Sequence, residues 1–326
     1  MLRLAPDDPP LTHWSAAQAA ALNRSPVRGA HRLHELDLFA DDALIRLLDR
    51  HPRDKLQAFT MGTDPTRFKE WKAVEIGDAT GAELMTAVAR GRLWLNILNV
   101  NEAHDDFAAL QDGLVEDLAP YPSDRIPGTE HLVLIISSPR AMVYFHADPT
   151  PNVFWHIRGE KRLWVYPVNN DYFVDRAAME DIFAFVSDED LLYLPEFDDA
   201  AMAFDMRPGE FLAWPLNSPH RVQNGDVVNV SLSAEFDTHQ SRRRTLVYLA
   251  NRFFSRKLHL PCRDTRETGL KSATKRFLFR AARKVGIART QPRFDYVADT
   301  RIDATAPEGV SPLDGPVRTA FAVGDD

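Results

Sequence analysis

The sequence predicts a mainly β fold with flanking helices: a jelly-roll core followed by a helical C-terminal extension. Three observations predict it. Between residues 127 and 236, short apolar and alternating runs follow one another, separated by Pro- and Gly-containing turns, as in a sandwich or barrel. After Thr238 the apolar spacing returns to three and four residues, which is helical. There is no internal repeat and no phosphate-binding glycine loop.

Taken in order, residues 1–30 read as a loose arm with one short Ala-rich helix at 15–23. Residues 31–38 alternate and predict a strand. A helix follows at 41–50, where Ala43, Leu44, Leu47 and Leu48 share a face and Asp41 or Asp42 can cap. Residues 55–61 predict a strand. Thr80 caps a helix running through Arg90, and Gly91 ends it. A strand at 93–98 and an amphipathic helix at 102–118 complete the first part.

Beyond Pro127 come a nearly continuous aliphatic strand at 131–136, a turn at 137–140 and a strand at 142–145. Strands at 152–158 and 161–166 are joined across Gly159-Glu160, which predicts a hairpin. Short extended pieces at 191–194 and 201–206 precede strands at 210–214 and 227–236. Helices follow at 242–254 and 271–285, and the Pro/Asp/Gly/Ala-rich end from about Asp295 predicts poor order. The division is therefore an arm (1–30), a core (31–238), a helical extension (239–294) and a flexible tail (295–326).

The chain has 326 residues, 44% apolar and 26% charged, enough for a sizeable core. Its one cysteine, Cys262, excludes an intramolecular disulfide and any multi-thiolate metal cluster. A bound metal must then be held by imidazole and carboxylate. The longest apolar run, 132–136, is far short of the roughly 20 residues of a membrane span. The opening MLRLAPDDPP lacks the apolar stretch of a signal peptide, so a cytoplasmic protein with no membrane partner is expected. The net charge of −8 conceals an asymmetry. Residues 237–294 carry 16 Lys/Arg against 3 Asp/Glu, whereas the rest carries 23 against 44. Such asymmetry speaks of partners or self-association rather than fold.

The chemistry lies in His146-Ala147-Asp148. Ligand-type side chains at i and i+2 point to one side at a strand mouth. His220 is the best third ligand, presented by the loop after Pro215. Two imidazoles and one carboxylate leave open positions and suit non-haem Fe(II); zinc accepts the same set but closes toward tetrahedral. Gly209, Pro215, His220 and Asn224 resemble the second cupin motif, with Asn217 where that family usually has glycine. The stretch from His146 through Asp148, Asn152, Ile157-Arg158-Gly159 and Lys161-Arg162 resembles the JmjC-type, cupin-like oxygenases, in particular the factor-inhibiting-HIF subgroup.

That resemblance implies a double-stranded β-helix core and an Fe(II)- and 2-oxoglutarate-dependent dioxygenase. Such an enzyme consumes O2, hydroxylates a C–H bond of a peptide or protein side chain or a small molecule, and releases succinate and CO2. It implies that Lys161, fifteen residues after His146, binds the distal carboxylate of 2-oxoglutarate, and that Asn152, six residues after it, faces the co-substrate. Taken alone, Lys161 is an ordinary strand lysine; its coincidence with the His-x-Asp spacing gives it the role. The family's hydroxyl three residues before the first histidine is replaced by Val143, and Ser231 or Ser233 can supply it instead. Trp155, His156, Trp214 and Asn229 are the expected walls of the substrate pocket. Asp148 argues against halogenation, which needs that ligand position vacated.

C-terminal helices pair two subunits in that subgroup, so a homodimer is expected with Leu246, Leu249, Phe253 and Phe254 as its seam. Two alternatives stand beside this reading. One is a metal-binding cupin that is not an oxygenase, such as an isomerase or sensor. The other is a ribosome- or RNA-associated oxygenase using the basic segment, with nucleic acid the lower-ranked use of that charge.

Overall fold

A computed structural model describes residues 10–118, 124–187, 191–288 and 295–322. The opening nine residues of the expected arm lie outside it. Strands β1 (Thr12–His13), β2 (Val27–His31), β3 (Leu56–Thr60), β4 (Lys72–Ala73), β5 (Leu93–Ile97), β6 (His131–Ser137), β8 (Asn152–Arg158), β11 (Glu210–Ala213) and β13 (Asn229–Glu235) form one sheet in the order β1-β2-β11-β8-β13-β6-β5-β3-β4. Strands β7 (Met142–His146), β9 (Lys161–Val165), β10 (Met202–Met206) and β12 (His220–Asn224) form a second, in the order β10-β9-β12-β7. The paired strands in both sheets are antiparallel. The predicted jelly-roll class is the observed one.

The alternation of side chains explains the layers. Val230, Leu232 and Ala234 of β13 turn outward into a core shared with α2 (Asp41–Arg50), α3 (Gly81–Arg90) and α5 (Asp105–Leu118). Phe154, Leu163, Val165, Leu212 and Val222 pack between the sheets. The outer face of the smaller sheet is covered by α6 (Arg176–Phe183), α7 (His239–Arg252) and α8 (Leu270–Lys284) through Phe145, Ile182, Phe253 and Phe279. Thr80 caps α3 in a capping box with Glu83, as predicted.

The structure corrects several expectations. The strands around Gly159-Glu160 make no hairpin: β8 joins the larger sheet and β9 the smaller, so two residues carry the chain across the barrel. Gly159 has φ +90°, and a Cβ there would stand 2.6 Å from Asn229 Cγ. This crossing therefore requires glycine. Alternation shows that a segment is a strand but not which strand it joins.

The arm is not loose over its described part. Around the short helix α1 (Ala16–Ala21), β1 and β2 extend the larger sheet, and the Trp155 indole donates to Thr12 Oγ1 at 2.9 Å. The expected strand 31–38 ends at His31 and continues as two 3-10 turns. Helix α2 starts from Ala40 with no side-chain cap, and 102–118 divides into α4 (Val100–Ala103) and α5. Residues 191–194 form no strand.

Nor is 295–326 a loose tail over its described part. Strands β14 (Asp295–Ile302) and β15 (Val310–Ala322) form a hairpin fastened to the body. Lys72 Nζ lies 2.6 Å from Asp299 Oδ2, and the Glu75 backbone exchanges bonds with Thr300 and Ile302. No described helix is long and apolar enough to cross a membrane.

Candidate metal centre

β7 and β12 are neighbours, and His220 is the Cα partner of His146. The two ring centroids stand 4.0 Å apart. Asp148 follows β7 by two residues and reaches both rings, with Oδ1 3.7 Å from His146 Nε2 and Oδ2 3.6 Å from His220 Nε2. Among the described residues these three are the one His/Cys/Asp/Glu group whose ligand atoms all fall within 4.8 Å of one another. His220 is the first residue of β12 and not a loop residue, so both histidines are held by a strand ladder.

The tautomers follow from the partners. His146 Nδ1 bonds the Tyr144 carbonyl at 2.8 Å, and His220 Nδ1 bonds the Ser218 carbonyl at 3.1 Å. A carbonyl only accepts, so each Nδ1 carries the proton and each Nε2 presents a lone pair. Burial, then the neighbouring His146, hold His220 well below the ordinary imidazole range, so it is neutral. Burial pushes Asp148 up, opposed by His146 and by hydrogen bonds from Asn152 and the Trp214 indole. A cation among the three groups would remove that penalty on the carboxylate.

These three candidate ligands line a cavity of about 340 Å³. Lys161 lines it and is buried, its Nζ 4.9 Å from the Phe154 ring centroid. Burial alone pulls its ammonium down to about 7, and no carboxylate among the described residues pairs with it. An ammonium withdrawn from water without a counter-charge costs several kcal/mol, and the ring face returns only part of that. Asn152, Ser233, Asn224 and Trp214 share the cavity with it.

Four predicted residues are placed elsewhere. Trp155 faces the outer core, on the opposite side of β8 from Phe154. His156 and Ser231 bond each other at 3.2 Å below the cavity, and His156 Nε2 also meets the Gly159 carbonyl at 2.9 Å. Asn229 is wholly buried and bonds the Val227 carbonyl. These three polar residues lie on the inward face as alternation predicts, but too deep to touch the cavity. Of the two candidate hydroxyls, Ser233 is thus the one in the cavity.

The cavity's other wall carries no signal in the sequence. Phe59, Trp71, Trp94 and Tyr296 come from β3, the segment before β4, β5 and the C-terminal hairpin. Trp71 and Trp94 stack at 5.6 Å and 7°. Among the described residues, their indole N–H groups and the Asn96 Oδ1 have no hydrogen-bond partner. Glu235 lines the same cavity; burial, then the Asp148 charge, push it up to about 7.

The model of the cupin-like domain matches residues 63–242, more than half of the chain. The chain belongs to the cupin-like domain family. The matched span contains all three candidate ligands. The X-ray structure of Escherichia coli YcfD aligns with 17% identity over 85% of this chain and 70% of that one, at a TM-score of 0.50, and so shares the fold. YcfD, a ribosomal oxygenase, in complex with cobalt and 2-oxoglutarate aligns with 16% identity over 81% and 64%, at 0.46. Bacillus subtilis oxalate decarboxylase aligns with 23% identity over 40% and 29%, at 0.24. No curated protein matches the sequence.

Proposed function

We propose that the chain is an Fe(II)- and 2-oxoglutarate-dependent dioxygenase that hydroxylates a C–H bond of a peptide or protein side chain or a small molecule. The observation that carries this is Lys161: a buried ammonium with no carboxylate partner among the described residues, in the same cavity as a two-histidine, one-carboxylate set. A metal-binding cupin without a dicarboxylate co-substrate has no use for an uncompensated buried cation. Fifteen-residue spacing from the first histidine, as in the factor-inhibiting-HIF subgroup, supports the same role.

The residues fit both groups. His146, Asp148 and His220 would hold the iron through Nε2, a carboxylate oxygen and Nε2. When bound, iron with 2-oxoglutarate supplies the oxidising chemistry: O2 is consumed, one oxygen enters the C–H bond and the other leaves in succinate, with CO2 lost. The chain's own work is binding and orientation. Lys161 pairs with the distal carboxylate. Asn152 fixes the Asp148 carboxylate by donating from Nδ2, and Ser233 offers a hydroxyl in the place of Val143. Phe59, Trp71, Trp94 and Tyr296 form an apolar wall where substrate can exclude water.

Calorimetric titration of 2-oxoglutarate into the Co(II)-loaded chain tests this. Saturable binding that disappears in Lys161→Met supports it; no binding to the loaded wild-type chain refutes it.

In this reading the protein is a homodimer through α8. The expected seam is not available, because Leu249 and Phe253 are buried within the chain, with Leu246 and Phe254 packed against them. Leu270, Phe277 and Val285 of α8 and the residue after it are instead 85%, 68% and 68% exposed. An apolar stripe of that kind is covered more readily by protein than by water. The basic segment is partly neutralised at home: Arg252 and Arg256 pair with Asp181, and Arg244 with Glu267. That leaves less charge for nucleic acid. YcfD is described as a ribosomal oxygenase, and a ribosomal substrate is the narrower version of the protein-substrate reading.

A further inference from the structure

We infer that Arg244, on helix α7 outside the barrel, is a positioning residue for the metal centre, acting through Asn217. The turn of residues 215–218 leads into β12. Asn217 sits there with φ +62°, the left-handed region that glycine or asparagine occupies at least cost. A glycine would satisfy that backbone equally well. Asparagine adds a side chain, and its Nδ2 donates to the backbone carbonyl of Asp148 at 2.6 Å. The next residue, Ser218, supplies the carbonyl that fixes the tautomer of His220. One turn therefore orients two of the three ligands.

Arg244 holds that turn from outside. It is buried, and its Nη1 donates to the Leu216 carbonyl at 3.1 Å and to Asn217 Oδ1 at 3.2 Å. The second bond fixes the amide's orientation: with Oδ1 accepting from Arg244, Nδ2 must face Asp148. Glu267 Oε1 accepts from Arg244 Nε at 2.6 Å and aims the guanidinium. A continuous path runs Glu267–Arg244–Asn217–Asp148, from the helical extension to the carboxylate ligand's backbone. The extension thereby becomes part of the metal site although none of its described side chains lines the cavity.

The inference rests on the metal reading above, and Co(II) is the probe. Metal affinity is measured by calorimetry and ligand geometry by the visible absorption of the bound ion, on the full-length chain. Arg244→Met is expected to weaken Co(II) binding roughly 10- to 100-fold, the usual cost of losing a group that orients a ligand, and to alter the Co(II) spectrum. Asn217→Gly, which keeps the left-handed backbone, is expected to do the same. The double variant is expected to lose no more than either single one, because the two residues act in series. Arg252→Met, which removes an ion pair to Asp181 from the same helix, is expected to leave the affinity and spectrum alone even if it lowers Tm. Unchanged affinity and spectrum in a folded Arg244→Met or Asn217→Gly variant overturn the inference. So do additive losses in the double variant, or an equal loss in Arg252→Met. If Arg244→Met does not fold, Asn217→Gly alone decides. A wild-type chain that takes up no Co(II) overturns the metal reading, and this inference with it.

Discussion

His146 and His220 are Cα partners across β7 and β12, and each donates its Nδ1 proton to the carbonyl two residues before it, Tyr144 and Ser218. The same local bond repeats on two strands, so both Nε2 lone pairs are set by backbone geometry before any metal arrives. Preorganisation of this kind predicts tight binding with little rearrangement.

His146→Ala or Asp148→Ala should therefore abolish Co(II) binding and iron-dependent succinate formation while the chain stays folded. Each ligand lies at the cavity and not in the packed core between the sheets. Calorimetry and a succinate assay read the two losses; turnover at the wild-type rate in either variant would refute the assignment.

Lys161→Met should move two quantities in opposite directions. The variant loses the partner of the distal carboxylate, so 2-oxoglutarate affinity should fall by about 3 kcal/mol, or on the order of 100-fold. It also loses an uncompensated buried charge, so the ligand-free protein should become more stable in urea. A variant both weaker in binding and less stable would show that Lys161 is paired within the protein.

The pH dependence follows from the same group. Lys161 titrates near 7 when folded and near 10.5 when unfolded. Between those values the unfolded chain binds more protons, so the ligand-free protein gains stability from this group as pH rises from about 7 toward 10.5. Urea midpoints of wild type relative to Lys161→Met should converge over that window. A carboxylate raises the folded value again, so binding 2-oxoglutarate at pH 8 should take up protons. Calorimetry in buffers of different ionisation enthalpy measures this, and no uptake would contradict the role.

Phe277→Glu or Leu270→Glu should yield monomers in sedimentation experiments, with the fold unchanged, because both side chains are largely exposed on one subunit. Phe253→Glu should instead unfold the C-terminal helices, because Phe253 packs against Phe279 inside the chain. A wild-type monomer at high micromolar concentration would end the dimer proposal.

Much was legible in the residues themselves. The period of apolar residues marked most strands and helices, and His146, Asp148 and His220 stood out as a candidate ligand set because metal ligation demands particular side chains at particular spacings; the structure brings their ligand atoms within 4.8 Å of one another. Asn217 could be marked only as a departure from glycine; its role became visible once φ +62° and the bond to Asp148 were known. Trp71, Trp94 and Tyr296 carried no sequence signal, because they stand 23 and 202 residues apart and meet at the cavity through sheet order alone.

The sequence by itself determined the strand-rich core, the candidate ligand types and the spacing of Lys161, since these depend on local periodicity and on the chemistry of single side chains. Only the tertiary structure decided which strands pair, that β8 and β9 part company at Gly159, that Trp155 turns away from the cavity, and that the C-terminal hairpin closes against β4. Those depend on which distant surfaces exclude water from one another, and a pattern read along the chain carries no record of that.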